Sequence, residues 1–227
     1  MMIFKAVLFD LGGTLIKTAP PPEIIRRILT KYGVERSIKD IALAHEGAER
    51  SMSTEDYRLA YYDFWIKWNR RILEALEIHE NTDLLARVLV DEWWDNAGLE
   101  PYDDAEEALL GLRGLGLKIG IVTNAFIKDI GEILARVSLP RVFDILVGID
   151  SVGRAKPDPE VFRYAIKLLR IQPNEAVFIG DSLERDYFGA LNAGLRAILI
   201  DRENSVRGDI VKISNLREIP KILDLQK

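Results

Sequence analysis

Four short stretches of this chain place a reactive side chain at or just beyond the end of an apolar run. Val7-Leu8-Phe9 runs into Asp10, which is followed by Leu11-Gly12-Gly13-Thr14. Ile121-Val122 runs into Thr123-Asn124, and Phe178-Ile179-Gly180 runs into Asp181-Ser182, with Asp186 a little further on. The fourth stretch, Arg154-Ala155-Lys156-Pro157-Asp158-Pro159, comes after the apolar segment Ile145–Ile149. Short apolar runs bounded by glycines read as buried strands of a parallel sheet. Ligands of open α/β sheets sit beyond the carboxyl ends of the strands. All four tips then share one edge, where an acid, a hydroxyl, an ammonium and two more acids can converge. Hard carboxylate oxygens around a partly hydrated site suit Mg2+. A lysine and a threonine can hold the oxygens of an anion. An aspartate such as Asp10 can attack a phosphorus or carbon centre to form a covalent intermediate.

Each stretch alone has a plainer reading. Asp at a strand end is a common turn former. Thr123-Asn124 and Asp181-Ser182 are good helix caps, and Lys156-Pro157-Asp158-Pro159 reads as a turn before a helix. Their order along one sheet edge is what favours a shared site.

The elements that must position these groups follow two rhythms. After Leu15, Pro20-Pro21-Pro22 opens a helix that turns Ile24, Ile25, Ile28 and Leu29 inward and stops near Gly33. Ser37 with Asp40 resembles a capping box for a second helix reaching Arg50. Ser53 with Asp56 repeats that signal before a third, longer helix, whose apolar face carries Tyr57, Tyr61, Phe64, Trp65, Trp68 and Ile72. A fourth helix after Asn81-Thr82 turns Leu84, Leu85, Val88, Leu89 and Trp93 inward and ends by Gly98. Residues 17–99 thus read as an all-helical block, with the aromatic stripe as part of its core.

Past Pro101 helices and strands alternate. Helices are expected over 103–113, 127–137, 159–169, 184–192 and 216–225, and strands over 117–123, 145–149, 176–179 and 197–200. Such alternation indicates βαβ units and a parallel α/β sheet. The opening strand joins the same sheet, so residues 1–16 and 100–227 form a discontinuous core and residues 17–99 an insertion. Gly111, Gly114, Gly116 and Gly120 precede a strand rather than follow one, and read as a helix-to-strand turn, not a dinucleotide loop.

Composition narrows the function classes. With 48% hydrophobic residues in a chain of 227, a well-filled core is expected. Against 36 acidic residues there are 31 basic ones, a net charge of −5, so no basic field attracts nucleic acid. The absence of Cys excludes disulfides, thiolate metal sites and a Cys nucleophile. No apolar stretch approaches the ~18 residues of a membrane span. Met1 to Leu8 run straight into a strand with no apolar h-region or cleavage site, which points to a cytoplasmic location.

Taken together, the chain resembles the haloacid dehalogenase superfamily, whose members are mostly Mg2+-dependent phosphatases on a Rossmann-like core. Asp10 with Thr14 matches the first motif, Thr123 the second, Lys156 the third, and Gly180-Asp181 with Asp186 the fourth. The helical block resembles the mobile cap of the subfamily that closes over its active site. The resemblance implies Asp10 as nucleophile and metal ligand, Thr123, Asn124 and Lys156 as binders of the transferring group, and Asp181 and Asp186 as metal ligands or their support. It also implies the Gly12 carbonyl as a metal ligand, a small phosphorylated substrate, hydrolysis through an aspartyl-phosphate, and a monomer or homodimer.

One position departs from the pattern. Phosphatases of the superfamily carry a second Asp where this chain has Gly12, and its side chain protonates the leaving oxygen. General acid–base help of that kind is worth about 10²–10⁴ in rate. A good leaving group, a substitute from the helical block such as His45 beside Glu46 or His79, or a different chemistry would account for it. Relatives that cleave carbon–halogen or carbon–phosphorus bonds also lack that Asp, the latter using a cap Lys, for which Lys31, Lys39 and Lys67 are available. Gly12-Gly13 also reads as a tight backbone turn and nothing more. A non-catalytic binder of phosphorylated metabolites is the reading from another class.

Overall fold

The computed structural model describes residues 4–224. Met1 to Ile3, at the expected start, and Leu225, at the end of the expected closing helix, lie outside the described residues. The chain divides into two compact units, one running up to Lys17 and resuming at Glu100, the other spanning Thr18–Leu99.

The discontinuous unit contains strands β1 (Ala6–Phe9), β2 (Ile16–Lys17), β3 (Glu100–Pro101), β4 (Lys118–Val122), β5 (Ile145–Val147), β6 (Ala176–Gly180), β7 (Arg196–Ile200) and β8 (Lys212–Ile213). Six of them form one sheet in the order β5-β4-β1-β6-β7-β8, and every pairing in it is parallel. β1 lies in the interior of the sheet, and all four of its residues are buried, as are all five of β6. Strands covered on both faces need continuous apolar runs, which is the pattern these segments carry. Leu8, Val122, Phe178 and Leu199 share one apolar cluster with Phe162, whose ring meets that of Phe178 edge-on at 5.0 Å. Each such side chain contributes about 1.5–3 kcal/mol on burial, so the sheet forms a rigid platform. Strand register decides which side chains this platform presents together. Phe9 lies opposite Ile121 of β4 and Ile179 of β6. Residues one or two places further along, Asp10, Thr123 and Asp181, therefore emerge at the same edge.

Between and after these strands the unit has helices α6 (Ala105–Gly114), α7 (Ile127–Arg136), α8 (Pro159–Leu169), α9 (Gly189–Asn192) and α10 (Ile219–Ile222). Some expected elements differ. In place of a helix over 184–192 there is a wide π-type turn at Leu183–Phe188 followed by α9. The closing helix is a tight turn at Leu216–Glu218 before a short α10, because Pro220 is tolerated only in a first helical turn. β8 is an additional strand beyond those expected, and Gly120 lies inside β4 rather than in the turn before it. Lys17 pairs antiparallel with Glu100 in the short β2–β3 ribbon, so it belongs to this unit and not to the helical block.

The helical unit contains α1 (Pro21–Lys31), α2 (Ile38–Arg50), α3 (Tyr61–Ala75), α4 (Thr82–Asp91) and α5 (Trp93–Asn96). Ile24, Ile25, Ile28 and Leu29 of α1 are buried against Ile41, Ile72, Leu73, Leu85 and Leu89. Ser37 caps α2, its Oγ accepting from the Asp40 amide at 3.1 Å. The Ser53–Asp56 signal caps only a short turn at Asp56–Arg58, and α3 begins later, at Tyr61. The Asp56 carboxylate accepts from the Ser53 amide at 2.9 Å and is also buried under the Lys67 ammonium and the Arg71 guanidinium. Leu84 is 51% exposed and Ala86 is buried in its stead, while Trp93 starts a separate turn. Among the described residues no helix is long and apolar enough to cross a membrane.

Candidate active site

Asp10 leaves β1 with its amide donating to the Ile179 carbonyl at 2.9 Å, which carries the sheet register one residue past the strand. Its side chain meets Lys156, whose Nζ lies 2.7 Å from Asp10 Oδ1 and 2.6 Å from Asp186 Oδ1. All three residues are buried, and the Lys156 ammonium also lies 5.1 Å from the Phe178 ring centroid. An ammonium removed from water this thoroughly requires close anionic partners, and it has two. They keep it protonated despite burial, which by itself favours the neutral amine. Burial pushes the Asp10 carboxyl up, opposed by Lys156 and reinforced by the Asp186 charge.

Local backbone explains how these groups reach one another. Lys156 sits in the loop before α8, where its amide donates to Asn124 Oδ1 at 2.7 Å and its carbonyl accepts from Asn124 Nδ2 at 3.0 Å. Both ends of the Asn124 amide are thus engaged with the Lys156 backbone, a positioning contact that the sequence did not announce. Asp186 is held by the turn after β6, its Oδ2 accepting from the Ser182 amide at 2.9 Å. A Cβ on Gly180 would fall 2.4 Å from the Asp186 carboxyl carbon, so only glycine lets that carboxylate close in. Thr123 is buried just past β4, its amide bonded to the Val147 carbonyl at 3.0 Å.

Asp181 completes the cluster from the exposed side. Carboxylate oxygens of Asp10, Asp181 and Asp186 all lie within 4.8 Å of one another. Partial loss of hydration, together with the charges of Asp10 and Asp186, pushes the Asp181 carboxyl up to about 6. Three acids around one ammonium leave excess negative charge, and their donors are all hard oxygens. That is the donor set an ion such as Mg2+ takes.

Gly12 and Gly13 behave differently from one another. Gly13 has a φ of +76° and packs against Asp181, where a Cβ would fall 2.2 Å from Oδ2. Gly12 is exposed, its φ lies outside the left-handed region, and a Cβ on it would meet nothing within 4 Å among the described residues. The backbone therefore requires a glycine at 13 and not at 12.

A family model described as haloacid dehalogenase-like hydrolase matches residues 4–194. The chain belongs to that family. Glyceraldehyde 3-phosphate phosphatase of Methanopyrus kandleri is 30% identical over 206 residues, covering 88% of this chain and 85% of its own. Phosphoserine phosphatase of Thermus thermophilus is 32% identical over 242 residues, with coverage of 95% and 97%. A solved haloacid dehalogenase-family phosphatase from Thermococcus onnurineus is 27% identical, with a TM-score of 0.65 and coverage of 97% and 98%. As a haloacid dehalogenase-like hydrolase the chain is an enzyme of hydrolysis, and the acid–lysine cluster at its sheet edge is the place to seek that chemistry.

The remaining candidates lie in the helical unit. His45 is half-buried with its ring edge against Trp68 at 5.6 Å, and His79 is exposed. Lys31 pairs with Glu92 and Lys67 with Asp56, and Lys39 is exposed.

Proposed function

We propose that this chain is a Mg2+-dependent phosphohydrolase of small phosphorylated metabolites, working through an aspartyl-phosphate on Asp10. The observation that carries the reading is the sharing of one buried ammonium, Lys156, between Asp10 and Asp186, with the Asp181 carboxylate beside them. Relatives of similar length bearing phosphatase names support it. The helical unit corresponds in this reading to the inserted cap of the family.

Asp10 attacks the phosphorus, a carboxylate oxygen forming the new bond as the bond to the substrate oxygen breaks. Water then attacks the aspartyl-phosphate, releasing inorganic phosphate and restoring the carboxylate. Lys156 and the end of β4 at Thr123 bind the phosphoryl oxygens, and Lys156 also keeps Asp10 and Asp186 from repelling each other. Asn124 acts through Lys156 by fixing its backbone. Asp10, Asp181, Asp186 and the Gly12 carbonyl would hold Mg2+, which supplies further positive charge to the transferring group. Glycine at position 12 leaves this turn without the carboxyl that protonates a leaving oxygen.

The charge of the cluster favours this reading over metal-free dehalogenation, since three adjacent carboxylates exceed what one lysine neutralises. Pairing of Lys31 and Lys67 with carboxylates disfavours an amine nucleophile for phosphonate cleavage. The test is a panel of phosphate esters, acyl phosphates and 2-halo acids, assayed with Mg2+ and with chelator. Phosphate release that requires Mg2+ and disappears in Asp10→Asn is expected. Halide release without added metal, or a tight phosphorylated ligand with no product, would overturn it.

A further inference from the structure

We infer that Arg202 is a positioning residue for the nucleophile turn, acting through the Thr14 carbonyl and the Asp104 carboxylate. The inference rests on the assignment of Asp10 as nucleophile. Thr14 is fully buried, and its hydroxyl has no partner among the described residues, whereas its carbonyl has one. Arg202 Nη2 donates to that carbonyl at 2.9 Å. The same guanidinium forks onto Asp104, with Nη1 to Oδ2 at 2.9 Å and Nη2 to Oδ1 at 3.1 Å. Its plane covers the Tyr102 ring at 3.6 Å from the centroid. Asp104 is 2% exposed, and its Oδ2 also accepts from the Leu216 amide at 2.8 Å.

One cation thus joins the turn after β1, the segment leading into α6 and the loop after β7, and through Asp104 it reaches Leu216. Arginine suits the task because its planar fork makes several directed bonds at once, which a lysine cannot reproduce. The turn it holds is closed on itself by Leu15 N to Leu11 O at 2.9 Å and Gly13 N to Ile16 O at 2.8 Å. A shift at Thr14 is therefore passed to Gly12 and Gly13. Gly13 is the residue in close approach to Asp181, so the pin sets the spacing of Asp10, the Gly12 carbonyl and Asp181. Nothing in the spacing of these residues announces the contact, since Arg202 and Asp104 are 98 positions apart.

The experiment compares wild type with Arg202→Lys, Arg202→Met and Asp104→Asn. It measures Mg2+ affinity by calorimetry without substrate, kcat and KM separately, and thermal unfolding. Loss of a group that orients metal ligands typically weakens metal affinity by about 10- to 100-fold. That loss is expected in Arg202→Met, with kcat falling and KM nearly unchanged. Arg202→Lys should recover only part of it, and Asp104→Asn should fall between. Folded variants with wild-type Mg2+ affinity and kcat would overturn the inference, as would an effect confined to unfolding temperature or to KM. If Arg202→Met does not fold, the other two variants decide. Should wild type bind Mg2+ but hydrolyse no phosphate compound, the phosphatase reading fails while the calorimetric comparison still tests the pin.

Discussion

Gly13 lies so close to Asp181 that a Cβ on it would fall 2.2 Å from Oδ2, while its neighbour Gly12 faces open space. Two adjacent glycines with one appearance in the sequence therefore have different physical warrants. One is demanded by a positive φ and a close approach; the other is permitted but not required.

Gly13→Ala should accordingly damage the site and Gly12→Ala should not disturb the fold. Strain at a positive φ costs about 1–3 kcal/mol before the clash with Asp181 is counted. A mutation at an exposed, uncrowded position such as Gly12 usually stays within about 0.5 kcal/mol. Thermal unfolding of the two variants side by side checks this. A Gly13→Ala protein as stable and as active as wild type would be inconsistent with the packing described.

Gly12→Asp tests what the missing side chain does. A Cβ at position 12 meets nothing within 4 Å among the described residues, and the backbone there is not left-handed, so a side chain can start from it without strain. If leaving-group protonation limits turnover, the variant should accelerate alkyl phosphates by about 10²-fold or more while changing aryl phosphates little. A plot of rate against leaving-group pKa, flattened in the variant, is the expected result. Equal effects on both ester types would reject the idea.

Lys156→Met removes the shared cation and leaves Asp10 and Asp186 buried together. Breaking a buried ion pair by deleting one partner costs about 3–5 kcal/mol. Unfolding should therefore shift strongly downward, and Mg2+ should recover more stability in the variant than in wild type. Asn124→Ala should lower kcat with less loss of stability, because it loosens the Lys156 backbone and leaves the charge in place. Denaturant midpoints with and without Mg2+, paired with kcat, separate the two effects.

Asp56 gives a pH dependence in the helical unit. Its bonds from Lys67 and the Ser53 amide hold the carboxyl down at about 2, below the ordinary 3.8. A depressed carboxyl stabilises the fold fully above the unfolded value, and the contribution fades as pH falls toward the folded one. Asp56→Asn should cost about 1–2 kcal/mol near neutrality, discounted because Lys67 is half exposed. The gap from wild type should narrow between about pH 4 and pH 2, read from urea midpoints across that range. A gap independent of pH would show that the charge is not responsible.

Much of the architecture is legible in the sequence because apolar periodicity records burial directly. The runs at Val7–Phe9, Ile119–Val122 and Ala176–Ile179, short and ended by a polar residue or glycine, suit strands covered on both faces, and parallel pairing brings Asp10, Thr123 and Asp181 to one edge. Local signals are weaker guides where a cap residue has a second suitor. Ser53–Asp56 looks like a helix start, but the Asp56 carboxylate is held by Lys67 and Arg71 from α3, and the helix starts further on at Tyr61.

By itself the sequence determined the fold class, the insertion between two parts of the sheet-bearing unit, and the residues that the sheet edge presents, since these depend on patterns along the chain. Tertiary structure alone decided that Lys156 bridges Asp10 and Asp186, that Asn124 grips the Lys156 backbone, that Gly13 and not Gly12 is a steric necessity, and that Arg202 anchors Thr14. Those relations join residues far apart in the chain or depend on φ and close atomic spacing, and neither leaves a trace in residue type or period.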